Sequence, residues 1–186
     1  MMGRTHVILG LAAAYWLDQA FPYLQPPVAL QPLPRVGLLA VGVGAAALGS
    51  LLPDIDHGQS SIAYQTGTAE GQGCLTDGVF GLVRRALGGH RALTHSVWAG
   101  LVLASTAIVC LVWPGRGVWS GIVAAFVIGY LAHILGDLLT REGVKFLYPL
   151  SGREWGLGLI KTGHLLEPLL ALGVTIVTVG RVAGIF

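Results

Sequence analysis

Residues 118–139 form an apolar run that carries two ionisable side chains near its end, His133 and Asp137. They are four residues apart, so on a helix they share one face, with Cβ atoms about 6 Å apart. Ionisable groups inside a lipid-spanning helix are rare, face protein or water rather than lipid, and mark function by default. An imidazole nitrogen beside a carboxylate oxygen is also half of a metal site. The rest of the chain must therefore bring further polar groups to this helix.

The composition sets where that helix sits. The 186 residues are 54% hydrophobic and only 11% charged, against roughly 25% charged in soluble domains, so a membrane protein is expected. Apolar runs at 5–21, 36–52, 97–113, 118–139 and 165–182 predict an all-α, polytopic membrane helix bundle of about five transmembrane helices. The chain reads as a single membrane-embedded domain, 1–186, with polar excursions at 58–89 and 140–163. Thr5 is the expected cap of the first helix. Asp18 makes that first span the weakest by hydropathy, an interfacial helix being the alternative. Pro22, Pro26, Pro27, Pro32 and Pro34 make 22–35 a helix-free connection. The glycines and alanines of the second span suit close helix approach in lipid. Residues 79–87 suit a short interfacial helix. The N-terminus resembles the basic start of a signal segment but lacks a clear cleavage site, so it is expected to be retained. Cys74 and Cys110 fit no zinc spacing and lie on opposite sides in this topology, so no disulfide is expected.

Orientation follows from the cations. Arg4, Arg84, Arg85, Arg91, Arg141, Lys145, Arg153 and Lys161 fall on one side, and Arg35, Arg116 and Arg181 on the other. The richer side is expected in the cytoplasm, with the N-terminus inside. A formal net charge of +2 gives no case for nucleic-acid binding.

This topology gathers the polar residues at one end. His6 begins the first span, and Asp54, Asp56 and His57 end the second. His90 and His95 precede the third, His133 and Asp137 end the fourth, and His164 and Glu167 begin the fifth. All six histidines lie on the cytoplasmic side. Singly, each has an ordinary explanation: a membrane histidine often bridges two helices, and Pro53-Asp54-Ile55-Asp56-His57 alone reads equally as a helix stop. Jointly they point to metal. Crowded carboxylates repel unless protonated or neutralised, and a mixed imidazole and carboxylate set suits one or two Zn²⁺-like ions better than Ca²⁺ or Mg²⁺, with Mn²⁺ or Fe²⁺ open. Thr5-His6 and Thr94-His95 open the two halves similarly, a weak sign of internal repetition.

Several segments carry a resemblance. They are Thr5-His6, the stretch from Leu48-Gly49-Ser50 to Asp54-Ile55-Asp56-His57, His90-Arg91-Ala92-Leu93-Thr94-His95-Ser96, Gly129-Tyr130 leading into His133 and Asp137, and Gly143-Val144 with Tyr148-Pro149. Over most of its length the chain resembles the LexA-binding, inner-membrane-associated metal-dependent hydrolase family (YdjM-like). That family is more distantly similar to the all-helical zinc phospholipase C and single-strand nuclease group, where a His-x-x-x-Asp helix holds zinc. The resemblance implies phosphoester hydrolysis. The membrane spans depart from the soluble group and disfavour a nucleic-acid substrate. No residue pattern points to repressor binding.

The expected function is metal-dependent hydrolysis of a phosphoester in a lipid or amphiphile at the cytoplasmic leaflet. His6, Asp54, His95, His133 and Asp137 are the expected ligands, with His90 a further candidate. Asp56 is a further ligand or the general base, and Arg91, with Arg84 or Arg85, is expected to hold an anionic head group. A metal or ion transporter should instead place its ligands near the bilayer midplane. A non-catalytic, metal-stabilised adaptor should close every coordination position.

Overall fold

The computed structural model describes residues 1–20, 35–56, 93–112 and 118–185. The connection before residue 35 and the excursion 58–89, with its interfacial-helix expectation, lie outside the described residues. Five α-helices are present among them: α1 (Gly3–Ala20), α2 (Arg35–Leu51), α3 (Val97–Val112), α4 (Val118–Leu138) and α5 (Leu166–Val182). Two 3-10 turns flank the site, Leu52–Asp56 after α2 and Leu93–His95 before α3. α4 is the central helix and packs against α1, α2 and α3, while α5 packs against α1.

The packing is close because the contacts are small. Ala14, Ala45, Ala46 and Ala125 form the buried centre, with Leu11, Ile122 and Phe126 around them. Two glycines let backbones touch. A Cβ on Gly49 would lie 1.9 Å from the Phe126 carbonyl oxygen, and one on Gly129 would lie 2.0 Å from that of Ala46. Other small positions are not used this way, since a Cβ on Gly44 would meet nothing within 4 Å. Helices in lipid associate through such van der Waals contact, since lipid tails remove the hydrophobic drive between them.

Polarity is inverted relative to a soluble domain. Val102, Val112, Trp119, Leu135, Leu172, Ile176 and Val182 are exposed, whereas His6, His95, His133, Asp137, Thr140 and Glu167 are buried. An apolar exterior of this extent marks a surface that meets lipid or protein. By length and composition, two segments can cross a membrane: Gly37–Asp54 with 18 residues and Trp119–Leu138 with 20. α3 has 16 residues and α5 has 17, or about 24 and 26 Å of helix, short of a bilayer core of about 30 Å.

Two local expectations change. α1 begins at Gly3, so Thr5 sits inside the first turn, buried, and does not cap the helix. Residues 140–163 are not simply a polar loop. Val144 and Trp155 exchange two backbone hydrogen bonds of 2.8 Å, Leu157 N–H donates to the Leu138 carbonyl at 2.7 Å, and Val97 N–H donates to Phe146 at 2.8 Å. The segment folds back beneath α4 and closes the start of α3. Gly143 turns this corner with φ +63°, where any Cβ would strike the Trp155 carbonyl.

Candidate metal centre

Four elements converge at one end of the bundle. α4 presents His133 and Asp137 from successive turns of its inner face, both fully buried. Asp54 comes from the turn that ends α2. His95 ends the turn before α3 and is held from both sides. Behind it, the Ser96 hydroxyl accepts from Ala99 N–H at 3.4 Å, the N-cap geometry that starts α3. In front, Tyr130 of α4 donates its hydroxyl to the Thr94 carbonyl. Below Asp137, Thr140 donates to the Asp137 carbonyl at 2.8 Å and closes the end of α4.

One donor atom from each of Asp54, His95, His133 and Asp137 lies within 4.8 Å of all the others. His133 Nε2 is 3.3 Å from His95 Nε2. Asp137 Oδ2 is 3.4 Å from His95 Nε2 and 3.6 Å from His133 Nε2. Asp54 Oδ1 is 3.7 Å from each of those nitrogens.

Tautomers explain why this arrangement suits a cation. His133 Nδ1 lies 2.7 Å from the Ser50 carbonyl oxygen. A carbonyl only accepts, so Nδ1 carries the proton and Nε2 presents a lone pair. His95 Nδ1 pairs with the Thr94 hydroxyl at 3.1 Å, and that hydroxyl accepts when His95 takes the same tautomer. Two lone pairs and two carboxylate oxygens then face one centre. Burial lowers the His95 pKa below its ordinary value, the Asp137 hydrogen bond opposing only part of that fall. The imidazole is thus held neutral, the form that ligates a metal. A tetrahedral ion bound at about 2.0–2.1 Å has donor–donor edges of roughly 3.3–3.4 Å. Five of the six separations, 3.3 to 3.7 Å, come close to that figure, and the Asp54–Asp137 edge lies within 4.8 Å, so the residues fit a divalent ion.

His6 stands beside this group rather than in it. Its ring stacks on His133 with centroids 3.6 Å apart, and its Nε2 is 3.2 Å from Asp137 Oδ1, the oxygen turned away from His95. The Met1 ammonium contacts the same oxygen at 2.7 Å. His6 Nδ1 has no hydrogen-bond partner among the described residues. Gly136 makes room for the ring, since a Cβ there would sit 3.3 Å from His6 Nδ1.

Comparisons with known proteins cover nearly the whole chain. The family profile described as YdjM inner membrane protein matches residues 1–185. The chain belongs to the YdjM inner membrane protein family. It is 36% identical to the inner membrane protein YdjM of Escherichia coli (strain K12) over 153 residues, covering 82% of this chain and 68% of that protein. The YdjM of Shigella flexneri gives the same figures. The YvsG protein of Bacillus subtilis (strain 168) is 28% identical over 179 residues, covering 95% of this chain and 91% of its own length. No solved structure matches. The family name agrees with an inner-membrane location and with the apolar exterior.

Within this family member, the other expected site residues separate. Asp56 closes the turn after α2, and its side chain lies outside the described residues, as do His57, Arg84, Arg85, His90 and Arg91. His164 is exposed and is not one of the four converging donors. Glu167 is buried but is taken by backbone: Met2 N–H at 2.5 Å and Gly163 N–H at 2.8 Å. Sequence reasoning did not find Ser50, Thr94, Tyr130 or Thr140 as site partners. Ser50, Thr94 and Tyr130 sat in the segments that carry the family resemblance. Their roles run largely through backbone carbonyls, which no side-chain pattern displays.

Proposed function

We propose that this YdjM family member is a membrane-bound, metal-dependent hydrolase acting on a phosphoester in a phospholipid or similar amphiphile at the cytoplasmic leaflet. The carrying observation is the convergence of two imidazole nitrogens and two carboxylate oxygens at one end of the bundle. Zn²⁺ is the ion the mixed nitrogen and oxygen set favours, with Mn²⁺ or Fe²⁺ as the alternatives. When bound, the ion supplies Lewis acidity and activates water for attack. His95 and His133 hold it, each fixed by its Nδ1 contact. Asp137 completes the inner wall. Asp54 is 20% exposed while the His95, His133 and Asp137 side chains are fully covered, so substrate reaches the centre past Asp54. Asp56, two residues on, serves as the general base or as a further ligand, and Arg91 holds the anionic head group.

The same burial favours one competing reading, a structural ion in a non-catalytic adaptor, because three of the four donor side chains have no access to solvent. A transporter fits less well, since the donors lie at one end of the helices rather than midway.

Elemental analysis of the purified protein, with phospholipid and simple phosphoester substrates under Zn²⁺, Mn²⁺ and Mg²⁺, separates these readings. The hydrolase reading expects bound metal and turnover lost together in Asp137→Ala. Metal-loaded protein that cleaves none of the substrates transfers the proposal to the adaptor.

A further inference from the structure

α1 and α5 run parallel and are pinned together at two places. At the cluster end, Glu167 accepts from Met2 N–H at 2.5 Å. Farther along, Trp16 Nε1 donates to the Thr178 hydroxyl at 3.1 Å. Between the pins the helices part and leave an open groove of about 440 Å³. Ile8, Ala171, Leu172 and Thr175 line its length, and Arg4 and Glu167 stand at the pinned cluster end.

The two ends of this groove differ in chemistry. Its length is apolar apart from Thr5 near the pinned end and the Thr175 hydroxyl, which is spent on the Ala171 carbonyl at 2.7 Å. Its mouth holds the exposed Arg4 guanidinium, which has no carboxylate partner among the described residues. Glu167, buried beside it, makes no ion pair with Arg4 among the described residues, its two oxygens being turned to backbone N–H groups. A cation at the head and an apolar trough behind it match an anionic amphiphile with its charge at the leaflet surface and its tail between helices. In an inner membrane protein the lipid that meets these helices has that form.

We infer that the α1–α5 groove is a phospholipid site, holding one acyl chain of an anionic phospholipid along Ile8, Leu172 and Thr175 with its phosphate on Arg4. The site stands apart from the hydrolase reading, since it requires neither metal nor turnover. The first turn of α1 separates it from the metal centre: Met2 and Thr5 face the groove, while Met1 and His6 face Asp137.

The test is native mass spectrometry of the full chain released from detergent after equilibration with equal phosphatidylglycerol and phosphatidylcholine. The wild type is expected to retain one lipid per chain, phosphatidylglycerol preferred by about tenfold, the size of one charge-assisted contact. Thr175→Trp, at an exposed position, fills the trough and should remove the retained lipid. Ile176→Trp, exposed beside it but outside the groove, should leave it. Arg4→Gln should keep a lipid and lose the preference, which distinguishes a headgroup contact from loss of fold. Retention of the same lipid by Thr175→Trp overturns the inference, as does an undiminished preference in Arg4→Gln. A wild-type dimer that retains no lipid and that Thr175→Trp dissociates also overturns it, by assigning the groove to a second copy.

Discussion

His133 donates from Nδ1 to the carbonyl oxygen of Ser50, 2.7 Å away on the neighbouring helix. This bond sets the tautomer of the ligand, aims Nε2 at His95, and ties the site to the helix packing beneath it. Ser50 reaches His133 because Gly49 and Gly129 let α2 and α4 meet backbone to backbone. The metal centre and the small-residue seam are therefore one construction, and perturbing the seam should perturb the metal.

Gly129→Ala tests this link. The added Cβ would lie 2.0 Å from the Ala46 carbonyl, a backbone atom that cannot swing away. The helices must separate, at a cost of about 1–3 kcal/mol by the usual scale of overpacking. Thermal unfolding in detergent should show the loss, and metal content should fall with it. Gly44→Ala is the matched control, because its Cβ meets nothing within 4 Å. Equal metal retention and stability in both variants would break the connection.

Tyr130→Phe removes one hydroxyl, the donor to the Thr94 carbonyl. The hydrogen bond contributes about 1 kcal/mol to stability. The larger effect should be on metal affinity, by about 10-fold or more, because Thr94 also holds His95 Nδ1. Competition with a chelator reads affinity directly. Unchanged affinity alongside reduced stability would make Tyr130 a packing residue only.

The sequence showed which side chains belong together better than how they are held. The four-residue spacing of His133 and Asp137 put both on one face, and the common end of Asp54 and His95 followed from alternating helices. Each of those inferences needs only helix periodicity and chain direction. What escaped depends on backbone and on exact approach. Ser50 acts through its carbonyl, which every residue has. Gly44 and Gly49 read alike as small residues of the second span, yet of the two only Gly49 touches a neighbouring backbone. Its end of the bundle groups His6 with the ligands, but it meets the outer oxygen of Asp137, a distinction finer than any spacing rule. Glu167 lay close in the same way, and the free N–H groups of Met2 and Gly163 claimed it.

Asp137→Ala should be severe on two counts. The carboxylate bridges the donor group through Oδ2 and meets His6 and the Met1 ammonium through Oδ1. Removing it takes away a ligand and strands a buried positive charge, a change that costs about 3–5 kcal/mol. Bound metal measured by elemental analysis should fall below about a tenth of wild type if each lost ligand weakens binding at least as much as a lost outer-shell partner. Asp137→Asn keeps the shape and should recover part of the stability without recovering the metal. Full metal in Asp137→Asn would remove Asp137 from the ligand set.

The orientation drawn from the arginine and lysine count is open to direct measurement. Ser151 lies in the segment folded beneath α4, and Ser60 in the excursion after α2. Cysteines placed at both sites should resist an impermeant thiol reagent applied to intact cells and react after the membrane is opened. Cys74, in the same excursion as Ser60, and Cys110, half-buried in α3, are first replaced by alanine so that they give no background. Labelling of either site from outside would invert the topology and move the metal centre to the opposite leaflet.

Asp56→Asn separates the chemistry from the binding. Asp54 reaches the centre with Oδ1 at 3.7 Å from both imidazole nitrogens, and Asp56 follows two residues later at the end of the same turn. If Asp56 takes the proton from attacking water, the amide should leave metal content near wild type and lower turnover by roughly 10²–10⁴-fold. If it is a ligand, metal and turnover fall together. The ratio of the two losses decides the role, because a general base contributes to the transition state and a ligand contributes already to the resting site. Wild-type turnover in a metal-replete Asp56→Asn protein would strip the residue of both roles and leave the proton to another group near the Asp54 edge.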